Sequence, residues 1–81
     1  MEGILIMNLR HLTIFKTVCE EGSITGAAKT LSMTQPAISH AINELEESVG
    51  ASLFDRVSRK IVINENGKFY LSKVIPLLEL Y

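Results

Sequence analysis

The chain has 81 residues, 47% of them hydrophobic and 21% charged, with a net charge of −1. That describes one small domain, marginal without a partner but able to build a core, and it excludes a disordered chain. One cysteine excludes an internal disulfide framework, and no apolar run approaches the roughly twenty residues of a membrane helix, so a cytoplasmic location is expected.

In chain order, residues 1–7 lack the basic start of a signal peptide and are expected as a loosely held N-terminal extension, with Met7 a candidate alternative start. Leu9, Leu12, Phe15, Val18 and Cys19 recur at helical spacing and predict helix 1 over residues 8–21, stopped by Gly22. Ser23 is a good N-cap for helix 2, whose stripe is Ile24, Ala27, Ala28 and Leu31. Thr34 caps helix 3, and Pro36 is tolerated there because a first-turn amide has no partner to lose. Ile38, Ala41, Ile42, Leu45 and Val49 form the buried stripe of helix 3, and Gly50 ends it.

Leu53–Arg56 and Ile61–Ile63 then read as two strands around the tip Val57-Ser58-Arg59-Lys60. Asn64 caps a last helix from about Glu65 to the end, apolar at Phe69, Leu71, Val74, Ile75, Leu78 and Leu80, in which Pro76 should kink the axis or remove one hydrogen bond. The order is helix, helix, turn, helix, hairpin, helix: a mainly α winged helix-turn-helix, residues 8–64, followed by a helix over 65–81.

Net charge gives no support to nucleic-acid binding, so any such case rests on where the charges sit. Gly22 to Asn43 runs for twenty-two residues without an acidic side chain, in a chain with nine acids. A surface kept free of carboxylates is what contact with a polyanion requires. With about 100° between successive helical residues, the side of helix 3 opposite its stripe shows Pro36, His40, Asn43 and Glu47, flanked by Ser39, and Gln35 projects from the first turn. Gln and Asn can pair with adenine edges, Ser with either strand, and Pro36 or Ala37 can touch a thymine methyl; an ordinary solvated face is the alternative. Glu44, Glu46 and Glu47 would repel phosphate, so the helix should enter DNA N-terminus first, although a solvated acidic face explains them equally.

Arg56, Arg59 and Lys60 cluster on the hairpin and could reach phosphates or a narrow minor groove. Charge on an edge strand is also a protection against aggregation, and Arg56 could brace the hairpin against a carboxylate. Ser23 and Thr34 are caps first, whose hydroxyls can also meet backbone oxygens. Lys29 is a further candidate for phosphate. His11 and His40 are too isolated to suggest a metal, Cys19, Phe15 and Phe54 read as core, and nothing resembles a phosphate loop or a catalytic pair; neither enzyme activity nor a cofactor is expected. The last helix is more apolar than one core contact needs, which marks an interface or a face left bare by a missing domain.

Met7-Asn8-Leu9-Arg10-His11-Leu12, Gly22-Ser23-Ile24-Thr25-Gly26-Ala27-Ala28, Thr34-Gln35-Pro36-Ala37-Ile38-Ser39, Leu45-Glu46, Gly50 and Leu53-Phe54-Asp55-Arg56 occur in that order. Together, from about Met7 to Leu78, they resemble the N-terminal DNA-binding domain of LysR-type transcriptional regulators. The resemblance implies a bacterial, sequence-selective binder of double-stranded DNA, with recognition helix 34–49 in the major groove and wing 55–61 at the minor groove. It implies an operator with two half-sites, a homodimer through the linker helix and room for a tetramer in a full-length protein. A small-molecule effector would bind only through a following domain that is absent here.

Under this reading Ser23, Thr34, Gln35, Pro36, Ser39, His40, Asn43, Arg56, Arg59 and Lys60 face DNA. Phe69, Tyr70, Val74, Leu77, Leu78 and Tyr81 face a second subunit. The chain departs from the family where Arg or Gln often follows the recognition-helix Ser (here His40), at the wing tip (Ser58 for Gly) and in the turn (Ser32 for Gly). The alternative is a winged-helix module that binds protein and not DNA.

Overall fold

The computed structural model describes residues 2–57 and 60–79, with side chains over 9–57 and 60–76. The elements are α1 (Glu2–Glu21), α2 (Ile24–Leu31), α3 (Gln35–Val49), β1 (Phe54–Val57), β2 (Lys60–Ile63) and α4 (Glu65–Glu79). Their order is the expected one, and the fold is a winged helix-turn-helix. α1 starts at Glu2, not at residue 8, so residues 2–7 continue the helix where a loose extension was expected. No proline interrupts that stretch, each added residue of a nucleated helix gains a hydrogen bond, and Glu2 suits the positive end of the dipole.

The helix ends follow side-chain chemistry. Ser23 Oγ accepts from the Gly26 amide (2.9 Å) and Thr34 Oγ1 from the Ala37 amide (3.2 Å), each cap residue being extended. Between α2 and α3 the chain turns on Ser32, at φ 54° and ψ 44°, and the Met33 amide closes back on the Ala28 carbonyl at 2.9 Å. This is the left-handed position that usually takes glycine. Gly50 (φ 82°) ends α3 in the same way.

The core is built by every element. Phe15, Ile38, Ile42 and Leu53 are fully buried, with Leu45, Val18 and Val74 close behind. The Phe15 ring lies 5.4 Å from that of Phe54 and 5.5 Å from that of Tyr70, so one aromatic side chain of α1 joins the wing base to α4. Thr17, the buried polar side chain among the described residues, donates back to the Thr13 carbonyl. Val49, expected in the buried stripe, is 39% exposed at the last residue of α3. α4 continues through Pro76 to Glu79, so the proline removes one backbone bond without ending the helix.

β1 and β2 pair antiparallel, Phe54 with Ile63, Asp55 with Val62, Arg56 with Ile61 and Val57 with Lys60. Val57 and Lys60, expected in the tip, therefore belong to the ladder. Cross-strand partners share a face, so Phe54, Arg56, Ile61 and Ile63 turn to one side, and Phe54 and Ile61 bury it against the core. Arg56 shares that side of the ladder but stands exposed beyond the buried Phe54.

Candidate nucleic-acid interface

The caps place the first turns of α2 and α3 beside the wing. Ser23, Ile24 and Thr25 from α2, Gln35 and Ser39 from α3, and Arg56, Lys60 and Ile61 from the wing line one cleft of ≈ 290 Å³. Five of the ten residues expected at DNA meet there. Among the described residues no carboxylate lines the cleft, and neither Arg56 nor Lys60 makes an ion pair. The idea that Arg56 braces the hairpin through a carboxylate finds no partner among those residues. Two cations, three hydroxyls, a glutamine amide and the positive end of α2 make a surface for an anion with hydrogen-bonding edges.

Thr34 and Pro36 are exposed at the start of α3, beside Gln35. His40 sits on another flank, 76% exposed, in a hollow of ≈ 340 Å³ with Arg10, His11, Ile14, Met33, Ala37, Ala41 and Glu44. Asn43 is exposed beside Glu46, Glu47, Gly50 and Ser52, towards the far end of α3 and away from the cleft. Arg59 lies outside the described residues. Thr25 and Ile24 were missed by sequence reasoning; their signal is position, immediately after an N-cap on a turn that faces the wing.

The three glutamates of α3 are not one solvated face. Oε1 of Glu44 lies 3.4 Å from Nε2 of His11 and 3.3 Å from Nε2 of His40. Oε2 of Glu46 accepts from the Leu53 amide at 2.7 Å. Glu47 is the one left exposed without a bond among the described residues. On α4, Phe69 is 67% exposed, with Lys73 Nζ 5.3 Å from its ring centre. Tyr70 is half-buried against Phe15, and Val74, at 1% exposure, belongs to this chain's own core and offers no surface to a second subunit. The side chains of Leu77, Leu78 and Tyr81 lie outside the described residues.

The model of the lysR family of bacterial regulatory helix-turn-helix proteins matches residues 9–68. YeiE of Escherichia coli, an uncharacterized HTH-type transcriptional regulator, is 40% identical over 73 residues, covering 90% of this chain and 25% of YeiE. The HTH-type transcriptional regulator BenM of Acinetobacter baylyi is 43% identical over 72 residues, covering 89% of this chain and 24% of BenM. The chain thus spans about a quarter of the length of the curated relatives it matches.

Among solved structures, the BenM DNA-binding domain in complex with benA site 1 DNA superposes with a TM-score of 0.83 at 42% identity, covering 88% of this chain and 83% of that one. The CbnR DNA-binding domain in its DNA complex does so with a TM-score of 0.85 at 35% identity, covering 89% and 83%. Sequence match and fold agree over nearly all of the chain: it belongs to the lysR family of bacterial helix-turn-helix regulators.

Proposed function

We propose that this chain is the reading head of a bacterial transcription regulator and binds double-stranded DNA through the cleft between α2, α3 and the wing. The carrying observation is that cleft: among the described residues it holds no carboxylate, in an acidic chain, and its two cations beside Gln35 and Ser39 make no ion pair. α3 enters the major groove by its N-terminal turn, where Gln35, Pro36 and Ser39 meet base edges and Thr34 meets the backbone. Arg56 and Lys60 take flanking phosphates, and Arg59 the minor groove beside them. The solved DNA complexes of the similar BenM and CbnR domains support this reading.

His40 and Asn43 have lesser parts, His40 because its imidazole leans on Glu44 and Asn43 because it stands towards the far end of the helix. α4 pairs with a second copy through the exposed Phe69, continued by Leu77, Leu78 and Tyr81, and the pair reads two half-sites about one helical turn, or a multiple, apart.

Titrating a labelled duplex at low and moderate salt tests the first part. Binding that weakens with salt is expected; no binding at low salt, with Arg56→Ala and Lys60→Ala without effect, overturns it. Size exclusion over a dilution series tests the second, and a monomer at every concentration would remove the dimer.

A further inference from the structure

We infer that Glu46 is a positioning residue, which sets the angle of the wing, and hence of Arg56 and Lys60, from the back of the recognition helix. The inference rests on the DNA-binding reading and adds to it a residue with no contact to DNA. One oxygen of Glu46 takes two amide donors from the entry to β1, Leu53 at 2.7 Å and Phe54 at 3.3 Å, with Ser52 Oγ 3.4 Å away and donating its proton to the Phe54 carbonyl at 2.9 Å. A carboxylate on a helix that approaches a polyanion weakens binding by repulsion. Here it is held by neutral donors and points at the wing base.

Two of these residues, Ser52 and Leu53, are gripped from the other side. The Ser52 carbonyl accepts from Asn64 Nδ2 at 3.0 Å and from Asn66 Nδ2 at 3.4 Å, and the Leu53 carbonyl from the Asn64 amide at 3.1 Å. Asn64 Oδ1 caps α4 by accepting from the Gly67 amide at 2.9 Å. α4 can come this close because Gly67 has no Cβ, which would collide with the Leu53 carbonyl oxygen. Ser52 and Leu53 are therefore clamped between α3 and the start of α4, and Phe54 is held by α3 alone.

A two-stranded hairpin has little stability of its own, so its direction is inherited from its base. Val57 stands three residues beyond Phe54, about 10 Å along a strand. A tilt of about 10° at the base would move that end by about 2 Å, enough to break a hydrogen bond to a phosphate.

Two substitutions separate positioning from charge. Glu46→Gln removes the charge and keeps an acceptor oxygen of the same reach; Glu46→Asp keeps the charge and withdraws the oxygen by one methylene. Positioning predicts that Glu46→Asp weakens binding to one fixed duplex about tenfold and lowers its salt slope by about 0.9 for each phosphate that the wing no longer reaches. It also predicts that Lys60→Ala costs less in the Asp background than in the wild type, and that Glu46→Gln binds at least as well as the wild type. Charge alone predicts tighter binding by Gln and no change with Asp; stability alone predicts that Lys60→Ala costs the same in both backgrounds. Either of these results overturns the inference.

Amide exchange in the DNA-free chain gives an independent measure. Leu53 and Phe54 should lose protection in Glu46→Asp and keep it in Glu46→Gln; equal protection in all three proteins also overturns the inference. If the wild type fails to bind duplex at low salt, the DNA reading has failed, and the exchange data still decide whether Glu46 holds the wing.

Discussion

Replacing both cations of the cleft, Arg56→Ala with Lys60→Ala, should change the salt dependence of DNA binding far more than it changes the fold. On B-form DNA each neutralised phosphate contributes about −0.9 to the slope of log K against log salt, so the pair contributes about −1.8. Between about 50 and 200 mM salt that increment is a factor of about 12. The wild type should therefore lose about twelvefold more affinity than the double variant over that interval. Both side chains are exposed and neither has an ion-pair partner among the described residues, so their removal leaves no buried charge behind. Stability should change by no more than about 0.5 kcal/mol, a shift in Tm of about 2–4 °C for a domain of this size. Fluorescence anisotropy on one labelled duplex at four or five salt concentrations gives the slopes, and thermal unfolding gives the control. Parallel slopes for two folded proteins would show that the cleft is not where phosphate is held.

Ser32→Gly should stabilise the domain by roughly 0.5–1 kcal/mol, because relief of a left-handed residue at φ 54° outweighs the added freedom of the unfolded chain; an unchanged or lower Tm counts against this. Gln35→Ala should relax preference at one base pair by about 1–3 kcal/mol while leaving affinity for unrelated duplex nearly unchanged, as a panel of single-base variants would reveal. Burial, with Glu20 adding to it, pushes the Cys19 thiol from 9.0 to about 11, so at pH 8 its thiolate fraction is about a hundredfold lower than in the urea-unfolded chain. Alkylation should run about tenfold slower, the more basic thiolate being the better nucleophile. The sign of the linkage follows: above pH 9 the unfolded chain gives up this proton first, and folded stability falls as pH rises towards 11. Equal alkylation rates in the folded and unfolded chain would contradict that burial.

Local chemistry carried most of the fold. The caps Ser23 and Thr34 are readable because the group they satisfy is three residues away in the chain, and both bonds form. Helical periodicity found the buried faces of α2 and α3 for a similar reason. It could not place Val49, whose spacing is right but which stands 39% exposed as the last residue of α3. Nor could it divide the apolar residues of α4 between two destinations. Val74 and Phe69 are both hydrophobic and five positions apart, yet one is at 1% exposure in this chain's core and the other at 67%. Periodicity tells which residues share a face; what lies opposite that face is a property of the whole packing.

The carboxylates of α3 bring the same distinction to the site. In the sequence Glu44, Glu46 and Glu47 are a run of like charge, which implies only that this half of the helix avoids phosphate. In three dimensions each has a different neighbour: two imidazoles for Glu44, the entry to β1 for Glu46, and solvent for Glu47. The partners of Glu46 lie seven and eight positions further on, across a turn whose path depends on Gly50 adopting φ 82°. No periodic pattern connects those positions. The acid-free tract Gly22–Asn43 thus ends where it does for a structural reason as well as an electrostatic one. The last side chain that α3 presents to the cleft is Ser39, and beyond the tract its carboxylates hold its neighbours, α1 through Glu44 and the wing through Glu46.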